Sequence, residues 1–324
     1  MIESPQAPEA AAPSAVLGPN QYGKAETRVV KVTRDGHVHH LKDLSVSVAL
    51  SGAMDAVHLS GSNATVLTTD ATKNTVFAFA KEHGIASAEQ FAIHLARHFV
   101  TSQPSIHRAR IRVEEYTWER IGAPGQRVGV PGERIGAPGE RSHSFVRAGR
   151  ETRTAQITYD GSTWQAITGL KDLVVLNTTD SEFRGYAKDP YTTLPETSDR
   201  ILATQVNARW RYGWTDDREP APDWDDAYTR TREHLLDAFA GTYSHSLQQT
   251  LYAMGSRVIE QRPETVEIRL SLPNKHHFLV DLAPFGLKND NEVYYAADRP
   301  YGLIEATVLR PGTEPAIPTD LTLL

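Results

Sequence analysis

Apolar and small polar residues alternate over Leu44–Leu50, and β-branched residues crowd Arg28–Thr33. Both stretches have the character of strands, and Asp35-Gly36 between them is a turn signal, so the pair predicts a hairpin. The period then lengthens. Val76, Phe79, Ala80 and His83 fall at i, i+3, i+4 and i+7, which predicts a helix opened by Asp70. Ser87-Ala-Glu-Gln90 has the spacing of a capping box, and Phe91, Leu95 and Phe99 give the following helix one apolar face. Strand character returns over Ile106–Trp118, and Ser144–Val146 begins the strand expected to close this half.

The second half repeats the order. Thr154–Tyr159, Leu173–Asn177 and Thr204–Trp210 are strand-like. Asp223 precedes a helix with Trp224, Tyr228, Thr231, Leu235 and Phe239 on one face, and Leu247, Leu251, Met254 and Val258 mark another. Strands are expected at Val266–Leu272, His277–Leu282, Val293–Tyr295 and Leu303–Leu309. Strand pair, helix pair, strand pair, twice over, predicts an α+β chain of two similar units, each an antiparallel sheet with helices on one face. We expect the units at 20–149 and 150–324, after a disordered, Ala- and Pro-rich tail over 1–19. That tail lacks the charged start and apolar core of a secretory signal. Three copies of one heptad, Glu119–Gly125, Gln126–Gly132 and Glu133–Gly139, interrupt the first unit. Each copy holds two Gly and one Pro, which break helices, so 120–141 is expected to be a loop insertion rather than a coiled coil.

Composition narrows the classes. The 324 residues carry a net charge of −6, which argues against a nucleic-acid partner. No apolar run approaches the ~18 residues of a membrane span. The absence of cysteine removes disulfides, thiolate metal sites and cysteine nucleophiles, and fits a cytoplasmic location. His37, His39 and His40 form a short run without further ligands in pattern, so no metal site is expected.

Candidate chemistry lies in segments far apart in the chain. A lysine such as Lys24, beside a glycine at a strand start, is ordinarily a solvated charge; it becomes a base when burial or a neighbouring cation lowers its pKa. Thr69 and Asp70 sit where a helix begins. There a side chain caps the helix, a hydroxyl can bond a lysine, and the backbone N–H groups favour an anion. Phe183 offers a planar face, Arg200 a flat two-pronged donor, and Gln248 an amide that donates and accepts at once. Asn274 and His276 lie in a strand-like stretch, where a lone histidine is more often structural.

Tyr22-Gly-Lys24, Thr69-Asp70-Ala-Thr-Lys-Asn74 and Ser271-Leu-Pro-Asn-Lys-His-His-Phe278 resemble the signature segments of the urate oxidase (uricase) family. The resemblance runs from about Leu17 to about Arg310. It implies two tandem tunnelling-fold units per chain, with subunits assembled sheet edge to sheet edge into a barrel, usually a homotetramer. It implies oxidation of urate by O2 to 5-hydroxyisourate and H2O2 with no cofactor and no metal. By the resemblance, Lys24 starts a proton relay through Thr69, with His276 in support. Phe183 stacks on urate, Arg200, Gln248 and the Leu247 N–H hold its pyrimidine edge, Asp70 stands with Thr69 at the substrate, and Asn274 holds O2 or water. It further implies that Lys24 and Thr69 come from one subunit and the others from its neighbour. Ser198, where relatives often carry Thr, and the heptad insertion depart from the family pattern. Two other readings stay open: a pterin or purine hydrolase of the same fold, and a purine-binding scaffold without turnover. The first often uses zinc with Cys or His ligands, and the second would not need the full motif set.

Overall fold

β1 (Tyr22–Asp35) and β2 (Val38–Gly52) form the expected hairpin, with Gly36 in the turn at a φ of 56°. The computed structural model describes residues 15–121 and 143–319. Most of the tail expected over 1–19, and residues 122–141 of the heptad insertion, lie outside them. After the hairpin come α1 (Asp55–Leu59), α2 (Thr69–Glu82), α3 (Ala88–Ser102), β3 (Ile106–Glu115), β4 (Trp118–Arg120), β5 (Phe145–Arg147) and β6 (Thr152–Tyr159). The chain continues through β7 (Trp164–Asn177), β8 (Leu202–Tyr212), α4 (Trp224–Gly241), α5 (Leu247–Gln261), β9 (Thr265–Leu279) and β10 (Tyr294–Leu309). At five residues α1 is too short to carry a periodic signal.

Each unit is four antiparallel strands backed by helices, and the units merge in one eight-stranded sheet of order β1-β2-β3-β6-β7-β8-β9-β10. Among the described residues both outer strands, β1 and β10, leave an unpaired edge. Inward-facing residues alternate along two adjacent strands of the first unit: Leu44, Val46, Val48 and Leu50 on β2, and Ala109, Ile111 and Val113 on β3, are buried. They meet Phe91, Leu95 and Phe99 of α3, as the helical spacing requires. In the second unit Val206, Ala208 and Trp210 pack with Leu235 and Phe239 of α4 and Leu251, Met254 and Val258 of α5. Each large apolar side chain buried this way contributes about 1.5–3 kcal/mol.

The junction of the units is polar and buried. Arg153 of β6 donates to Glu89 of α3 at 2.7 Å, to Asp225 of α4 at 2.6 Å and to the Trp224 carbonyl at 3.1 Å. Thr168 of β7 donates to the other Glu89 oxygen at 2.7 Å. Burial works against the Arg153 charge, but Glu89, Glu115 and Asp225 together hold its pKa above the ordinary value.

Three expectations change. Ser144–Val146 does not begin a strand of the main sheet: β5 pairs only with β4 in a two-stranded ribbon at the base of the insertion, and β6 closes the first unit. Next, the four strands expected after residue 265 are two. Pro273 cannot donate, which reads as a break, yet β9 runs through it in unchanged register, Asn207 opposite Ser271 and Thr204 opposite Asn274. The Thr204 hydroxyl meets the Pro273 carbonyl at 2.9 Å. Finally, Thr68 and not Asp70 caps α2, accepting the Ala71 N–H at 3.1 Å. Among the described residues no helix is long and apolar enough to cross a membrane.

Candidate functional site

The candidate residues gather at two places. The first is the outer part of β1 and the start of α2. Lys24 is half-buried and pairs with Val48, a core-facing residue, so its side chain leaves the sheet on the helix side. Just beyond it β1 bulges: Ala25 and Glu26 together oppose Ser47, Glu26 takes a φ of 55°, and its N–H donates to the Ser47 hydroxyl at 3.0 Å. Gly23 lets the strands close here, because a Cβ would lie 1.9 Å from the Val48 carbonyl oxygen. Thr69 is the first residue of α2 and is exposed. With Thr68 in the cap, the N–H groups of Thr69 and Asp70 sit in the first turn, where no intrahelical acceptor exists. The Asp70 carboxylate turns to Lys73 at 2.5 Å and Asn74 at 2.9 Å. Lys73 and, more weakly, Lys24 hold it below the usual carboxylate range.

The second place is built by the segment after β7, the start of α5 and the middle of β9. Phe183 pairs with Thr197, and its ring stacks on Tyr186 at 4.9 Å. The Arg200 guanidinium stands 5.3 Å from the Phe183 ring centre. Its Nε donates to the Ser181 hydroxyl at 3.2 Å and its backbone N–H to the Ser181 carbonyl at 2.9 Å. Burial lowers the Arg200 pKa, and no carboxylate pairs with the guanidinium among the described residues. The same segment is tied to the α4–α5 connection by Glu182 N–H to the Ser244 carbonyl at 2.8 Å and Ser244 N–H to the Asp180 carbonyl at 2.9 Å. That connection leads directly into Leu247 and Gln248.

At α5 Ser246 caps the helix by accepting the Gln249 N–H, and the Gln249 amide accepts the His245 N–H at 2.9 Å. Gln248 is exposed, and Leu247, buried, presents a first-turn N–H. On β9 Asn274 lies between Thr204 and Gly302, and His276 pairs with Ala297. The His276 ring stacks on Phe278 at 5.7 Å. Burial, then the charges of Arg200 and His277, lower its pKa, which favours the neutral imidazole.

Ser181 escapes sequence reading. A serine two residues before a phenylalanine carries no signal, yet this buried hydroxyl accepts from Arg200 Nε and fixes the guanidinium. His37, His39 and His40 stay at the β1–β2 hairpin, where His39 faces His143 at 6.0 Å. Among the described residues no three His, Asp or Glu side chains are placed to hold a metal ion.

The two places complement each other chemically. One offers an ammonium, a hydroxyl and free N–H groups for proton transfer beside an anion. The other offers a flat ring, a guanidinium, an amide and an N–H, the set that grips a planar, hydrogen-bonding anion. Within one chain they are far apart: β1 and β9 are six strand steps from each other, roughly 29 Å along the sheet at about 4.8 Å per step.

Comparison with known proteins agrees. A family model described as uricase matches residues 20–158 and 166–305, parting at the β6–β7 turn. The uricase of Arthrobacter globiformis is 48% identical over 298 residues, covering 92% of this chain and 91% of that protein. The uricase of Oryctolagus cuniculus is 36% identical over 295 residues, 89% of this chain and 93% of that protein. A crystal structure of Arthrobacter globiformis uricase superposes with a TM-score of 0.84 at 47% identity, covering 94% of this chain and 99% of that one. At that identity, over nearly the whole of both chains, this chain belongs to the uricase family.

Proposed function

We propose that this chain oxidises urate with O2 and water to 5-hydroxyisourate and H2O2, at a site completed by two copies of the chain. The observation that carries the reading is the division of the site chemistry between opposite ends of an open sheet. If the β1 edge of one copy pairs with the β10 edge of another, Lys24, Thr69 and Asp70 come to lie beside the partner copy's Phe183, Arg200, Gln248 and Asn274. A homo-oligomeric barrel, tetrameric as in the family pattern, satisfies this, and a chain without cysteine suits the cytoplasm.

The chemistry asks little of a cofactor. A urate anion is electron-rich and planar, and two electrons pass from the purine to O2 once its protons are managed. The protein's part is orientation and proton transfer. Phe183 stacks, Arg200 and Gln248 hold the pyrimidine edge with the Leu247 N–H, Lys24 and Thr69 relay the proton, and the neutral His276 supports them. Asn274 holds O2 or water over the ring. Loss of urate absorbance with formation of H2O2 tests the activity. Chelator-treated, colourless protein should keep it; recovery only on addition of metal or flavin would overturn the cofactor-free reading.

The shared site has its own test. Lys24→Ala and Arg200→Ala chains, each inactive alone, should regain activity when refolded together, because some interfaces then carry both intact halves. Hybrid oligomers without activity would place the whole site in one chain. The heptad insertion should matter little. Deleting Gly122–Arg141 should leave urate turnover within about twofold, since β4 and β5 still pair at its base and halving a flexible loop changes closure by only about 0.6 kcal/mol. Loss of most activity, or elution as a smaller oligomer, would give the insertion a role in assembly.

A further inference from the structure

The helices cover one face of the sheet; the other face carries an unanswered row of positive charge. On β3 the core takes Ala109, Ile111 and Val113, so Arg108, Arg110 and Arg112 share the helix-free face. Successive same-face side chains on a strand stand about 6.8 Å apart, so three guanidinium groups lie in one line. The residues paired with them across the strands are neutral. Ser51, Ala49 and Ser47 stand opposite them on β2, and Thr158 and Gln156 oppose Arg110 and Arg112 on β6. The next same-face carboxylate along the strand, Glu114, is held by Lys171 at 2.7 Å. Among the described residues none of the three arginines makes an ion pair, and the nearest acceptor is a neutral one, Gln21, 3.1 Å from an Arg110 terminal nitrogen. Burial, then the charges of Arg112 and Arg108, push the Arg110 pKa down.

Two buried polar atoms at the same spot lack partners. Thr158 is only 6% exposed, directly opposite Arg110, and its hydroxyl has no hydrogen-bond partner; nor has Arg110 Nε. A buried donor without an acceptor is costly and calls for a partner such as a water or an ion. A line of like charges flanked by hydroxyls and amides, whose nearest carboxylates, Glu114 and Asp160, are engaged by Lys171 and by the 160–163 turn, is a site for a compact anion with several acceptor oxygens. With a chain net charge of −6 and only three aligned arginines, the surface is too small and too local for a nucleic acid.

We propose that the helix-free face of β3 is a binding site for a small multivalent oxyanion of the phosphate class, held by Arg108, Arg110 and Arg112 with the Thr158 hydroxyl. The site is separate from the urate residues: Arg110 and Arg112 stand opposite Ala49 and Ser47, whose side chains leave the sheet on the face away from Lys24. Its test uses the full-length protein, inorganic phosphate and pyrophosphate, with sodium chloride at matched ionic strength. Phosphate and pyrophosphate should raise the thermal midpoint of the parent well beyond chloride. An Arg108→Gln/Arg112→Gln variant, both positions exposed and so safe for folding, should bind pyrophosphate at least tenfold more weakly by calorimetry. In the absence of oxyanion that variant should melt higher than the parent, because like-charge repulsion is relieved, and urate turnover should be unchanged. Thr158→Val should weaken binding with the arginines intact. The proposal is overturned if the parent responds to phosphate no more than to chloride, or if the double variant responds as the parent does, which would put the anion elsewhere. It is equally overturned if the variant melts lower and elutes smaller, since carboxylates of another copy would then be the occupant.

Discussion

Lys24→Ala should lower urate turnover by about 10²–10⁴-fold while leaving the protein folded, the range expected when a positioned proton-transfer group is lost. Lys24 sits half-buried on an edge strand beside a bulge, and its side chain takes no part in the backbone pairing that holds β1 to β2. The groups that would grip the ring, Phe183 and Arg200, lie at the other end of the sheet, so KM should move far less than kcat. A fall of less than tenfold in kcat would remove Lys24 from the relay. The threonine pair at α2 gives a matched control. Thr68→Ala should cost about 1 kcal/mol of stability through the lost cap and leave kcat nearly unchanged. Thr69→Ala should do the reverse. If the two variants behave alike, the division of labour between the hydroxyls is wrong.

The largest effect on stability is expected at the junction of the two units. Arg153→Met should destabilise the chain by about 3–5 kcal/mol, because Glu89, whose pKa burial already pushes up, would lose its cation and keep only the Thr168 hydroxyl and a first-turn N–H. That is a large part of the roughly 5–15 kcal/mol that holds an ordinary domain together. Replacing both partners, Glu89→Leu with Arg153→Met, should cost clearly less than the single change, since no orphan charge remains. Denaturant unfolding of the two variants measures this. A single-variant cost under about 1 kcal/mol, or a double variant worse than the single, would show that the network is not what ties the units.

Much of the fold was legible because its helices and most strands obey simple periods. Phe91, Leu95 and Phe99 are buried as their spacing demands, and Ser87 caps their helix. Gln90, however, turns to His94 at 2.9 Å instead of closing the box. Local rules failed where a long-range partner decides. Pro273 looks like a strand end, but neighbours on both sides carry β9 through it. Ser144–Val146 looks like a sheet strand, but β6 holds the place beside β3. At the candidate site, residue type and segment were readable while roles within pairs of like residues were not. Thr68 and Thr69, and likewise Gln248 and Gln249, are equivalent in composition. All four side chains are exposed, and only the geometry shows that the Thr68 hydroxyl and the Gln249 amide accept N–H groups at the helix starts. The distance between the two halves of the site was equally invisible, since it follows from strand order and not from any local pattern.

The open edges of the sheet tie catalysis to colloidal behaviour. β1 and β10, 14 and 16 residues long, would present long rows of unpaired N–H and C=O groups in a lone chain, an invitation to uncontrolled strand addition. If the same edges assemble the urate site, dilution removes activity by mass action at the moment it bares the edges. Turnover per chain should then fall as the protein concentration falls. A substitution that loosens the edge contact would also reduce activity and promote aggregation together, so that selection for turnover alone would keep the edges covered.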